Sequence, residues 1–211
     1  MEAKKPKKRK FRSAVRELYD WTESILIALL MVIVVLTFAV RGTVVDGDSM
    51  FPTLEDSQFL ALARVYGALD AIAPLKHNDI VVLYAKDLYD ENDGSYGKPI
   101  IKRVIGMPGD LISIDTYEGV VYRNGEPLET EYIDGILYED GHVINDYTRD
   151  VHNMREGVTL QVPEHHIFVL GDNRNISVDS RSSSVGMVDM NYIIGRVLFR
   201  ITPFEHFGIV K

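Results

Sequence analysis

The 211-residue chain is long enough for one ordinary domain, with or without an added segment. It is 46% hydrophobic and 26% charged, within the range of globular proteins, and it has no cysteine, which excludes disulfides, thiolate nucleophiles and cysteine-based zinc sites. The net charge of -8 is unevenly spread: residues 1–41 hold nine Lys/Arg against four Asp/Glu, and the rest of the chain 14 against 27. An acidic body repels phosphates and argues against a nucleic-acid partner; its plain role is solubility.

Eight basic residues between Lys4 and Arg16 precede Tyr19 and Trp21, and then Ser24–Val40 runs without a charge up to Arg41. Seventeen residues of helix reach about 26 Å, near the lower limit for the bilayer core. The aromatics stand where interfacial side chains belong, and the basic cluster marks the cytoplasmic side. A cleaved leader also begins basic and apolar, but this run ends in Phe38-Ala39-Val40-Arg41-Gly42 and offers no small-x-small cut site. The expected organisation is a basic cytoplasmic N-terminus over 1–23, a single transmembrane signal anchor over 24–41, and an extracytoplasmic domain over 42–211 in contact with the bilayer surface.

Beyond Arg41 short runs rich in Val, Ile, Tyr and Phe alternate with Gly, Pro, Asn and Asp. They predict strands over 58–65, 79–84, 100–105, 111–115, 120–123, 158–162, 166–170 and 192–201. Arg123-Asn124-Gly125-Glu126 suits a tight hairpin and Met107-Pro108-Gly109-Asp110 a turn. The fold class is therefore mostly β and antiparallel. Residues 129–157 are polar and irregular and read as an insertion or flap.

Six histidines occur, none in an H-E-x-x-H pattern, and no phosphate-binding glycine motif is present. No metal or cofactor is expected. Three segments stand out. Val45-Asp46-Gly47-Asp48-Ser49-Met50-Phe51-Pro52-Thr53-Leu54 follows the anchor closely: the eight residues from Arg41 to Asp48 span at most about 28 Å, which keeps Ser49 near the bilayer. Taken alone, this is as well a linker turn. In Ile100-Ile101-Lys102-Arg103-Val104, strand alternation sends Lys102 and Arg103 to opposite faces. A lysine held among apolar groups loses solvation of its charged form and becomes a usable base; one that reaches water does not. Gly171-Asp172-Asn173-Arg174-Asn175-Ile176-Ser177-Val178-Asp179-Ser180-Arg181 is dense in groups that form charge-assisted hydrogen bonds, and by itself is also a self-satisfied polar loop.

Together, in this order and behind one anchor, the segments resemble the S-M-x-P-T-L, K-R-x-x-G-x-P-G-D and G-D-N-R-x-x-S-x-D-S-R boxes of the bacterial type I signal peptidases, with G-D-S-M pointing to a Gram-positive-like branch. The resemblance implies an antiparallel signal-peptidase-type β domain and a membrane-bound serine endopeptidase that removes signal peptides from exported preproteins, in the neighbourhood of the export machinery. It implies Ser49 as nucleophile and Lys102 as general base. Ser177 matches the serine that orients the lysine, and Asp179 and Arg181 match a bracing pair. Val45, Leu54 and Ile101 sit where the family shapes shallow pockets for small side chains before the cut. Two departures are visible. Gly47 stands where some members supply an oxyanion-stabilising hydroxyl, and Ser182-Ser183-Ser184-Val185 adds two residues before Gly186. A self-cleaving repressor relative would need a DNA-binding head, and the S-x-x-K of penicillin-binding enzymes fails at Pro52. A membrane-tethered binding module is the rival of a different class; the joint presence of Ser49 and Lys102 weighs against it.

Overall fold

The computed structural model describes residues 7–38, 40–63, 74–91, 93–115, 120–128 and 159–210; the segment 129–157, read as an insertion, lies outside them. Two units separate, Met1–Val40 and Arg41–Lys211. The first contains one helix, α1 (Lys7–Phe38). Its described side chains are those of residues 16–33, and from Ile25 to Ile33 every large apolar one is more than half exposed. Among the described residues no helix is long and apolar enough to cross a membrane. The stretch 16–33 still carries Arg16, Glu17, Asp20 and Glu23, and the remainder of the expected anchor, 34–40, lies outside the described side chains.

The second unit is built of strands. β1 (Val40–Val44), β2 (Phe59–Ala63), β3 (Ile80–Asp90), β4 (Ser95–Gly106), β9 (His166–Leu170), β10 (Val188–Asp189) and β11 (Ile193–Thr202) form a sheet in the order β1-β2-β11-β3-β4-β9-β10, with β12 (Gly208–Ile209) added to β11. A smaller sheet orders β7 (Glu126–Pro127), β6 (Val120–Arg123), β5 (Leu111–Asp115) and β8 (Thr159–Gln161). The registers from β2 onward are antiparallel, as the turn spacing predicts.

Three apolar clusters hold the sheets together. β3 is buried on both faces: Ile80 and Val82 join Val45, Met50, Leu54 and Leu60, whereas Val81, Leu83 and Ala85 join Val104, Ile167 and Val169. A strand covered on both sides needs a continuous apolar run rather than alternation, and Ile80-Val81-Val82-Leu83 is one. β9 works the same way, sending Phe168 and Leu170 against Ile112, Ile114 and Val121 of the small sheet. At the β6–β7 hairpin Asn124 and Gly125 both take positive φ, 56° and 86°, as the Asn-Gly pair requires. At the other turn Gly109 has φ 91° and Asp110 N donates to Met107 O at 3.0 Å, a turn with proline second and glycine third.

Candidate active site

Ser49 lies in the loop between β1 and β2. Gly47 enters that loop at φ 80°, a conformation that favours glycine. Its N–H donates to Asp56 Oδ1 at 2.8 Å. Met50 and Leu54 anchor the turn in the core, and Leu54 N donates to Met50 O at 2.9 Å. Ser49 itself, just before these two fully buried anchors, stays half-buried.

Lys102 on β4 is 3% exposed, and its Nζ donates to Ser49 Oγ at 2.7 Å. The lysine is thus buried, as a usable base requires. Burial lowers its pKa from 10.5 to about 8, with Asp179 opposing the shift and Arg181 assisting it. The loop after β9 closes the site from the other side: Asn173 N donates to Ser49 O at 3.1 Å. A side chain at Gly171 would overlap both Ser49 O and the Ser177 side chain, so glycine is needed for this close approach.

Two buried Arg–Asp pairs flank Ser49 and Lys102. Arg181 grips Asp179 through Nε–Oδ1 at 2.8 Å and Nη2–Oδ2 at 2.9 Å, and Gly171 N donates to Asp179 Oδ2 at 3.0 Å. Burial alone would raise the Asp179 pKa, but Arg181 and these hydrogen bonds outweigh it and the carboxyl is held below its usual value. Arg103, beside Lys102, forks onto Asp172 at 2.8 and 2.7 Å, donates to Asn78 O at 2.9 Å and reaches Thr53 Oγ1 at 3.4 Å. Neither Arg103 nor Asp172 was singled out from the sequence for a site role. Their signal was the placing of an arginine inside an apolar strand, which demands a buried anion.

The expected supporting residues are brought together, but not all as expected. Ser177 is 2% exposed and its Oγ does not bond Lys102 here; it stands by Asp179 and helps to hold that carboxyl's pKa down. Val45 and Ile101 line a cleft of about 540 Å³ together with Ser49 and Lys102. Leu54 does not: it is 0% exposed and packs among Met50, Leu60 and Val82. In the structure Leu54 is a core residue that supports the serine turn. Residues 182–185, the stretch two residues longer than the family pattern, close as a tight turn, Ser182 O accepting from Val185 N at 3.1 Å and Gly186 N at 2.8 Å.

The cleft runs between two strand edges. β1 ends the large sheet, and the β4–β9 register begins only at Arg103. On the side away from β3, the β4 edge from Ser95 to Lys102 is therefore unpaired among the described residues. Thr43–Asp46 and Lys98–Lys102 form the two walls.

The family model described as signal peptidase, peptidase S26, matches residues 18–202. The chain is 36% identical to signal peptidase I of Bacillus caldolyticus over 186 residues, which cover 86% of this chain and 90% of that protein. It is 32% identical to signal peptidase IB of Staphylococcus aureus over 198 residues, covering 91% and 93%. A solved signal peptidase I from Enterococcus faecalis is similar with a TM-score of 0.41 and 25% identity, over 59% of this chain and 97% of that one. Matched along most of its length by the family model and by relatives above 30% identity, the chain belongs to the signal peptidase family, peptidase S26, a family of serine endopeptidases that remove signal peptides.

Proposed function

We propose that this peptidase cleaves signal peptides from exported preproteins with Ser49 as nucleophile and Lys102 as general base. The observation that carries the reading is the 2.7 Å contact between Ser49 Oγ and the Nζ of a lysine only 3% exposed. Neutral Lys102 takes the hydroxyl proton as Ser49 Oγ attacks the scissile carbonyl carbon. The ammonium then gives that proton to the leaving amine, and the C–N bond breaks to leave an ester on Ser49. Lys102 next deprotonates a water, which attacks the ester; the proton returns to Ser49 Oγ as the acid leaves. The Ser49 N–H is one donor for the oxyanion; Gly47 contributes no hydroxyl, and its own N–H is engaged by Asp56.

Once Ser49 is esterified, Lys102 loses its hydroxyl partner. The buried Ser177 Oγ, whose chain neighbours Ile176 and Val178 line the same cleft, is the group to take over and orient the amine. Asp179 and Arg181 brace the loop that carries it. The substrate binds as an extended strand between the β1 and β4 edges, where main-chain hydrogen bonds give affinity. Val45 and Ile101 offer shallow apolar contacts to small side chains before the cut, and larger ones clash.

The anchor reading, 24–41 crossing once with 1–23 in the cytoplasm and 42–211 outside, is supported by the run of exposed apolar side chains from Ile25 to Ile33. Nine consecutive helical residues cover every face, and a helix apolar all round and unburied by protein calls for an apolar solvent. Protease added outside intact cells is expected to digest the body and spare the N-terminus.

The test is cleavage of a purified preprotein in detergent by the wild type, Ser49→Ala and Lys102→Arg. The wild type alone is expected to cut, after a small-x-small motif, because a guanidinium cannot serve as the base. Cutting by Ser49→Ala or Lys102→Arg would overturn the dyad.

A further inference from the structure

The cleft does not end at Ile101. β3 and β4 continue past the point where β11 and β9 pair with them, as a two-stranded arm. A register shift between Ala85 and Tyr89 marks a bulge in that arm, and bulges bend and twist a hairpin. Beyond it, Leu88, Tyr89 and their neighbours line the same cleft as Ser49 and Lys102. Tyr89 is 50% exposed, so half of this large side chain is not used by the fold. Nor is it left loose. It sits opposite Tyr96 in the ladder, and the two rings meet edge to face with centroids 5.4 Å apart. Leu88 packs against the core at its foot.

Geometry fixes which part of a bound peptide passes this ring. Ile101 contacts residues before the cut, and β4 leads from Ile101 away from Lys102 toward the arm. Tyr89 pairs with Tyr96, which lies about 17 Å along β4 from Ile101, so an extended peptide lying along that strand reaches the ring roughly six to eight residues before the scissile bond. The leader, not the mature protein, occupies that end. We propose that Tyr89, braced by Tyr96, is a distal substrate-contacting residue that binds an apolar side chain of the leader and so adds specificity beyond the residues flanking the cut. This rests on the leader-peptidase reading above.

The test uses the full chain in detergent with two substrates, an intact preprotein and a short peptide spanning only the residues next to the cut. Tyr89→Ala is expected to lower kcat/KM for the preprotein about tenfold, the scale of one aromatic contact, through KM. The short peptide should be cut at the wild-type rate. Tyr89→Phe should behave as wild type, and Tyr96→Ala should give a smaller KM effect on the preprotein alone. Replacing the leader residues facing the arm by serine should reproduce the loss in the wild type and add nothing in Tyr89→Ala. Equal preprotein kinetics for wild type and Tyr89→Ala would overturn the subsite, as would an equal loss on both substrates. A wild type that cuts neither substrate would instead overturn the peptidase reading on which it rests.

Discussion

Lys102→Met removes the buried charge but keeps an unbranched, adaptable stem in its place. The wild-type amine has its pKa lowered from 10.5 to about 8, chiefly by burial. An amine with a depressed native pKa binds its proton more tightly in the unfolded chain than in the folded one. The fold therefore carries the full penalty below pH 8, and the penalty disappears as the pH rises through 10.5. At about 1.4 kcal/mol per unit of displacement, that penalty is about 3 kcal/mol. At 3% exposure, solvent screening does not reduce it. Lys102→Met is thus expected to be about 3 kcal/mol more stable than the wild type at pH 7 while cutting nothing, and the gap should close between pH 8 and 10.5. Urea unfolding of both full chains in detergent, followed by tyrosine circular dichroism at pH 7 and at 10.5, measures the gap; taking the difference cancels the other titrating groups. A variant less stable than the wild type at pH 7, or a gap equal at both pH values, would refute the reasoning.

With the lysine pKa at about 8, kcat/KM is expected to climb about tenfold per unit below pH 8 and level off above it. A flat profile through that range would take the base role from Lys102. Because Asp179 raises the lysine pKa and Arg181 lowers it, Asp179→Asn should move the midpoint to lower pH and Arg181→Gln to higher; shifts of the same sign would mean that the pair acts only through the fold. Asp172→Asn strands the buried Arg103 charge and is expected to cost about 3–5 kcal/mol, much of it recovered in the double variant Arg103→Met/Asp172→Leu. Thermal unfolding reads both, and a double variant no better than the single one would count against desolvation as the cause. Leu54→Ala should cost about 2–5 kcal/mol without altering the side chains accepted before the cut, whereas Ile101→Ala should admit larger ones; peptide-library cleavage would return Leu54 to the pocket if its variant changed the preference.

What the sequence makes legible is what depends on neighbours along the chain. Leu111–Asp115, Val120–Arg123 and His166–Leu170 form as strands over the residues expected, because each is a short β-branched or aromatic run between turn residues whose φ demands are local. Two short strands outside those expectations are set by distant partners. Val188–Asp189 is two residues long and exists because Ile167 and His166 offer an edge; Gly208–Ile209 likewise needs Arg200 and Phe199. The β3–β4 ladder runs past the apolar stretches that end at Tyr84 and begin at Ile100: Ala85 pairs with Lys98, the register shifts across Lys86 and Asp87, and pairing resumes at Tyr89 and Tyr96.

The same division explains the site. Ser49 and Lys102 were legible as residue types in recognisable boxes, but the burial that gives the amine its chemistry is a property of three segments meeting. Asn173 closes on Ser49 O, Arg103 draws in Asp172 from beyond β9, and Asp179 receives both Arg181 and Gly171 N. Arg181 and Lys98 push the lysine pKa down, while Asp179 and Asp172 push it up. With those charges opposed, burial is left as the leading cause of the lowered pKa. A paired arginine can therefore sit beside a lysine that must be neutral, without holding it there by repulsion alone. Leu54 follows from this as well. Its position next to the serine turn made it look like a substrate contact, but a turn that presents one half-buried hydroxyl needs its remaining side chains turned inward to fix it, and Met50 and Leu54 are the two that do so.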